Sequence, residues 1–308
     1  MPINPTPLKD EKKEKAEKKK DKFEFNISEP LNSFEDVVLD DDTYEEIHNA
    51  LGIIQFKDKL FNEWNLSSVI KKNVNLCINL YGYPGTGKTM VAHAIANELN
   101  LKILQINYAD VESKYVGETS KNLMKIFEYA EKNNVLILFD EADALLSKRV
   151  VDMHSATDVS VNQTRSVLLT LLDKFGGMVI FTTNFISNYD SAFMRRIPYH
   201  IKFGLPNEEV RNKLLNHYLK DTVPNNIDIP YIAHKYDGIT GSDISTALLT
   251  SALKTARMRN DLLIQDDFEK ALSNILKSKK ANQLDIRIEE REVSKEYVLS
   301  KLAKKGVE

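Results

Sequence analysis

One cysteine, Cys77, stands in a chain of 308 residues, and a lone thiol excludes an intrachain disulfide framework. It falls inside the apolar run 74–81, so it is expected to pack within a strand. No neighbouring feature would lower its pKa and make it a nucleophile. Long hydrophobic runs are also missing: nothing approaches the eighteen or so apolar residues that a membrane helix needs, so no membrane association is expected. Charged residues precede the first apolar stretch, which is not the order of a signal peptide, and a cytoplasmic location is the expectation. Nor is there a surplus of positive charge. Lys and Arg total 42 against 45 Asp and Glu, for a net charge of -3 and a pI of about 6.1. This argues against a dedicated nucleic-acid binder, though not against a local basic patch.

What the chain does contain suits a soluble globular protein. Its 42% hydrophobic and 28% charged residues supply a core and a solvated surface. The length allows one large domain, or a medium domain and a small one. Residues 9–22 hold eight Lys and five acidic residues, with Ala16 the only uncharged one. Such a segment buries too little apolar area to offset its ordering entropy, so residues 1–33 are expected to form a disordered charged tail, or a tether to an acidic partner. Order is expected to begin near Phe23, with Phe34, Val37 and Val38 docking onto the domain that follows. Residues 40–42 can cap a helix over 44–55, with Ile47, Leu51 and Ile54 on one face.

From residue 75 onward short apolar runs alternate with amphipathic stretches. Runs 77–81, 103–106, 135–139, 178–182 and 200–203 predict strands, and 87–99, 119–132 and 161–174 predict helices. The alternation implies an α/β domain over 34–205, a parallel sheet with helices on both faces. After Pro206 only helical patterns occur, at 207–219, 228–236, 242–257 and 266–277, implying a small all-α domain over 206–280. The charge-rich remainder, 281–308, is a C-terminal extension with a possible helix over 293–302.

Gly82-Tyr83-Pro84-Gly85-Thr86-Gly87-Lys88-Thr89 fits the P-loop pattern and lies between a strand and a helix. Glycines let the backbone curl around a phosphate with its N–H groups inward, and the helix start adds a positive dipole end. Lys88 can reach the β- and γ-phosphates, Thr89 can ligand Mg²⁺, and Met90 follows in the same nucleotide-binding set. The buried run 135–139 ends in Asp140-Glu141, which places Asp140 to hold the Mg²⁺ shell and Glu141 to deprotonate the attacking water. A second buried strand ends at Asn184, either an ordinary turn residue or a group that hydrogen-bonds the lytic water. Arg195 and Arg196 then precede another strand. They are surface charges or donors to a γ-phosphate, where an arginine is worth roughly 10³–10⁵ in rate.

In this order the motifs resemble the AAA+ ATPases, specifically the clade of katanin, spastin and the membrane-anchored AAA proteases. The resemblance covers about residues 34–277. It implies ATP and Mg²⁺ as cofactors, with Asn184 as sensor 1, and with Arg195 and Arg196 acting in a neighbouring subunit's site. Gly241 and Ser242 would contact adenine through backbone. Tyr115, Val116 and Gly117 resemble the pore loop that grips substrate polypeptide, and 150–160 is a candidate second pore loop. Tyr83 departs from the usual proline, and 38–42 lacks the usual Gly-Leu-Glu, leaving the adenine-side contacts undefined. No His-Glu-x-x-His occurs among the six histidines, so the zinc protease is absent. The implied function is ATP hydrolysis in a homo-oligomeric ring, a hexamer, that threads a protein partner. Alternatives are a DNA-directed AAA+ motor or loader, for which no basic groove is evident, and a small-molecule kinase, which leaves Asn184 and the arginines unexplained. A HORMA-domain remodeller of a bacterial defence system is a narrower version of the first reading.

Overall fold

The computed structural model describes residues 26–69, 76–107, 118–147, 156–184, 189–219 and 224–281. The charged run 9–22 and the expected helix over 293–302 lie outside them.

Six strands form one mostly parallel sheet: β1 (Ile27–Ser28), β2 (Leu76–Gly82), β3 (Ile103–Asn107), β4 (Leu136–Asp140), β5 (Met178–Thr183) and β6 (Tyr199–Phe203), in the order β1-β3-β4-β5-β2-β6. Between successive strands run α2 (Lys88–Glu98), α3 (Glu118–Asn133) and α4 (Ala156–Lys174), the crossovers that parallel pairing demands. Ile103 lies opposite Leu136, and Ile137 opposite Val179, both in parallel register. Residues 76–80 of β2 are buried without interruption, as expected of a strand covered on both faces. Cys77 is among them, and burial pushes its thiol far above the ordinary range.

The chain divides into two compact units. One joins the residues up to Ser33 with Asn49–Leu80 and Ala92–His200; the other joins Phe34–His48, Tyr81–Val91 and everything from Ile201 onward. This division differs from the expected cut between 205 and 206. The loop after β2 and the segment 34–48 associate with the C-terminal helices.

In the first unit the core is built around aromatic contacts. Phe139 and Phe181 stack at 5.1 Å with planes 9° apart, and Phe127 meets Phe175 edge-on at 5.0 Å. Two expectations need correction here. The segment 1–33, expected as a tail, contributes β1, which pairs antiparallel with β3 through Ile27 and Leu104. A two-residue strand is too short to leave a periodic signal. Further on, the Leu31 N–H donates to Nδ1 of the buried His93 at 3.2 Å. The second correction concerns α4, which starts at Ala156, so part of the candidate second pore loop, 150–160, is helical. An opening helical turn needs no apolar face, and missing periodicity did not mark a loop there.

In the second unit α1 (Asp41–Gln55) begins; its continuation from Asn49 belongs to the first unit. The Asp40 carboxylate caps it, accepting from the Thr43 N–H at 2.8 Å. Four more helices follow β6: α5 (Glu208–Leu219), α6 (Ile229–Lys235), α7 (Gly241–Arg257) and α8 (265–281). Leu215, Ile232, Ile244, Leu263, Phe268 and Leu272 form their common core. Buried Arg211 ties the bundle together, donating to the Ala233 carbonyl at 2.9 Å, the Pro206 carbonyl at 2.7 Å and the Asp237 carboxylate at 2.8 Å. Asp228 and a Thr240–Asp243 capping box start α6 and α7.

Burial holds the pKa of His93 below its ordinary value, with Asp140 acting weakly the other way, and burial lowers that of His200 as well. Both therefore bind protons more readily in the unfolded chain. Their contribution to stability is complete above pH of about 6.5 and is lost as the pH falls through the lowered folded values. Thermal unfolding without nucleotide is expected to shift down between pH 7.5 and 5.5, and His93→Gln to lessen that shift. An unchanged shift in the variant would show that His93 is not a contributor.

Candidate active site

The loop after β2 is shaped by three glycines with positive φ: Gly82 at 141°, Gly85 at 75° and Gly87 at 94°. Two of them are also required by space. A Cβ at Gly82 would lie 2.0 Å from the Phe203 carbonyl oxygen, and one at Gly85 would lie 2.8 Å from the Ser242 Cβ. The Tyr83 N–H donates to the Phe203 carbonyl at 3.3 Å, a bond that a proline at this position could not make. Lys88, buried at the first position of α2, directs its Nζ back over the loop to the carbonyls of Gly82 and Tyr83, each at 2.8 Å. Thr86 closes the loop on the Tyr83 carbonyl at 2.7 Å. Thr89 and Met90 follow, half-buried.

The same unit brings the start of α7 to this loop. The Ser242 N–H donates to the Gly85 carbonyl at 3.3 Å. A Cβ at Gly241 would lie 3.8 Å from that carbonyl and 3.6 Å from the Leu214 side chain on α5. Farther along, α5 lines a groove of about 820 Å³ with Lys213, Asn216 and His217; Phe34, Val37, Val38, Leu39 and Tyr44 supply the facing wall. Phe34, Val37 and Val38, expected to dock, are half-buried groove walls. His217 and Asn216 carried no signal in the sequence, because the two walls lie about 170 positions apart.

In the first unit, β4 delivers Asp140 and the chain turns sharply. Glu141 is exposed with φ at 52°, a left-handed conformation that costs a non-glycine residue about 1–3 kcal/mol. Thr182 on β5 holds this turn at three points. Its hydroxyl donates to Asp140 Oδ1. The same oxygen accepts from the Glu141 N–H at 3.0 Å, and its carbonyl accepts from the Ala142 N–H at 2.9 Å. Gln105 donates to the other Asp140 oxygen at 3.2 Å. Thr182 and Gln105 escaped the sequence reading: each lies inside a strand pattern, and only the register of β3, β4 and β5 places them beside Asp140.

Asn184 lies at the end of β5, and its N–H donates to the Asp143 carboxylate at 3.1 and 3.2 Å. Beyond it Asp190 caps a one-turn helix, Ser191–Met194, accepting from the Ala192 N–H at 2.9 Å. The paired arginines differ. Arg196 makes two hydrogen bonds to Asp173, at 2.7 and 2.9 Å. Arg195 is exposed and has no salt bridge among the described residues. Tyr115, Val116 and Gly117 lie outside the described residues. No described helix is long and apolar enough to cross a membrane.

Comparison with known proteins gives the same emphasis. The chain is 32% identical over 216 residues to the 26S proteasome regulatory subunit 8 homolog B of Arabidopsis thaliana, covering 68% of this chain and 52% of that protein. It is 32% identical over 255 residues to the 26S proteasome regulatory subunit 8 homolog of Encephalitozoon cuniculi, covering 80% and 63%. A third relative, the proteasome-activating nucleotidase of Methanopyrus kandleri, is 32% identical over 208 residues, covering 65% and 48%. The chain thus spans between 48% and 63% of these relatives' lengths. Residues 78–205 match the ATPase family associated with various cellular activities (AAA). That stretch carries both the glycine loop and the Asp140-Glu141 turn, and the chain contains an AAA ATPase domain.

Proposed function

We propose that the protein hydrolyses ATP in a homo-oligomeric ring, a hexamer, and spends the energy on remodelling a protein partner. One observation carries the reading. The family-matched stretch holds both a glycine loop with Lys88 above it and an acidic turn whose Glu141 is exposed and held by its backbone. Similarity to proteasome regulatory subunits and to a proteasome-activating nucleotidase supports a protein-directed role.

Backbone N–H groups between Gly82 and Thr89 cradle the β-phosphate, and Lys88 exchanges its two carbonyl partners for phosphate oxygens. Thr89 and Asp140 offer a hydroxyl and a carboxylate oxygen, the donor set that Mg²⁺ accepts alongside phosphate and water. The ion, when bound, neutralises charge on the β- and γ-phosphates. Glu141 takes the proton of the attacking water, and Asn184 orients that water through its side-chain amide. Gly241 and Ser242 sit at the adenine side by backbone, and the base occupies the groove between Val38 and His217. Arg195 reaches a neighbouring subunit's γ-phosphate, supported by its exposure, while Arg196 is braced by Asp173 and shapes the same turn. Asn184, the arginine pair and Gly241-Ser242-Asp243 support a kinship with the katanin and spastin clade. The partner is gripped at Tyr115, Val116 and Gly117, and the working location is the cytoplasm. The acidic charge balance favours protein over nucleic acid as the partner.

Glu141→Gln is expected to bind ATP with little change and to lose about 10²–10⁴ in turnover. Equilibrium nucleotide binding beside phosphate release checks this, and near-normal turnover would remove Glu141 from the mechanism. Tyr115→Ala is expected to keep ATP turnover within about threefold yet lose ATP-dependent unfolding of an extended, tagged test protein, since an aromatic grip is sequence-tolerant but needs its ring. Full unfolding by that variant would refute threading.

A further inference from the structure

Asn79 occupies the middle of β2, three residues before Gly82, with no exposure to solvent. Leu76, Cys77, Ile78 and Leu80 around it are equally buried and apolar, and an unpartnered amide there would cost about 1–3 kcal/mol. Its partners all come from the far side of the first unit's sequence. Asn79 Oδ1 accepts from the Thr183 hydroxyl at 3.3 Å and lies 3.4 Å from the Tyr189 hydroxyl. Tyr189 also hydrogen-bonds Thr183. The amide nitrogen of Asn79 lies 3.4 Å from His200 Nδ1. His200 Nε2 is buried with no hydrogen-bond partner among the described residues, although the carbonyls of Met194 and Ile197 act on the ring.

Each partner adjoins a segment of the proposed machinery. Thr183 immediately precedes Asn184. Tyr189 precedes Asp190, the cap of the Ser191–Met194 turn, and bridges to Ser147 just past the acidic turn. The carbonyls that face His200 belong to Met194 and Ile197, which bracket Arg195 and Arg196. Burial pushes the Tyr189 hydroxyl up to about 12, which keeps it a protonated donor.

We propose that Asn79, Tyr189 and His200 are positioning residues that fix the Asn184 and Arg195 segments against the nucleotide strand. The inference rests on the ring reading above, in which Arg195 serves a neighbouring site. Apolar residues of the same volume would fill this part of the core with equal or greater stability, but apolar contact is non-directional and permits sliding. Hydrogen bonds to a strand do not. A displacement of about 1 Å in a catalytic group costs roughly 10²-fold in rate, and that is the tolerance the network enforces.

The test uses the full chain with saturating Mg²⁺ and compares Tyr189→Phe, Asn79→Leu, Arg195→Ala and the Tyr189→Phe/Arg195→Ala double variant by kcat, KM for ATP and Tm. Tyr189→Phe keeps the ring volume and carries the test if Asn79→Leu does not fold. The expected result is a loss in kcat of about 10–100-fold for Tyr189→Phe and for Asn79→Leu, with KM within about threefold and Tm little changed. The double variant should then lose less than the product of the two single losses, because the share that acts through Arg195 is already gone. Normal kcat in Tyr189→Phe, a loss that follows Tm, or losses that multiply in the double variant would each overturn the proposal. Unchanged kcat in Arg195→Ala would instead sink the ring reading, and the positioning role with it.

Discussion

A single hydroxyl, that of Thr182, joins two neighbouring strands where both end in polar residues. It donates to the Asp140 carboxylate and accepts from the Glu141 N–H, so the left-handed turn at Glu141 is held from β5 and not by β4 alone. The register that allows this is set lower down, where Phe139 lies opposite Phe181 and their rings stack. A slip of one residue would turn Thr182 to the opposite face of the sheet. The aromatic pair in the core therefore determines the geometry of two carboxylates at the edge. Gln105 does the same from the other side, through the β3–β4 register.

The second unit follows a different logic. Its helices carry the glycine loop's contacts through backbone, not through charge. Gly85 must be glycine for its φ and because the start of α7 leaves no room for a Cβ. The capping box at Thr240 and Asp243 fixes where α7 begins. Lys279, near the end of α8, reaches the same Asp243 carboxylate. Cap, loop and last described helix are linked by neighbouring hydrogen bonds, all within one unit.

Much of this is legible in the sequence. The strands are evident because parallel strands covered on both faces are apolar almost throughout, as residues 136–139 are and residues 76–80 are apart from Asn79. The helices after Pro206 were evident from their periodicity and caps, and the glycine loop from its spacing. What stayed hidden was whatever depends on register or on distant chain. Thr182 looked like half of a threonine pair inside an apolar strand. Asn79 was one polar letter in an apolar run. The groove opposes residues 34–44 to residues 213–217, a pairing that no local pattern encodes. The missed strand β1 spans two residues, below the length at which alternation can be recognised.

The bond from the Ser242 N–H to the Gly85 carbonyl places the glycine loop at one end of a lever. At 17 residues, α7 is about 25 Å long. A tilt of about 10° about its N-terminus would carry the opposite end, near Arg257, through roughly 4 Å. Whatever rests on the far end of α7 would read the contents of the loop as displacement.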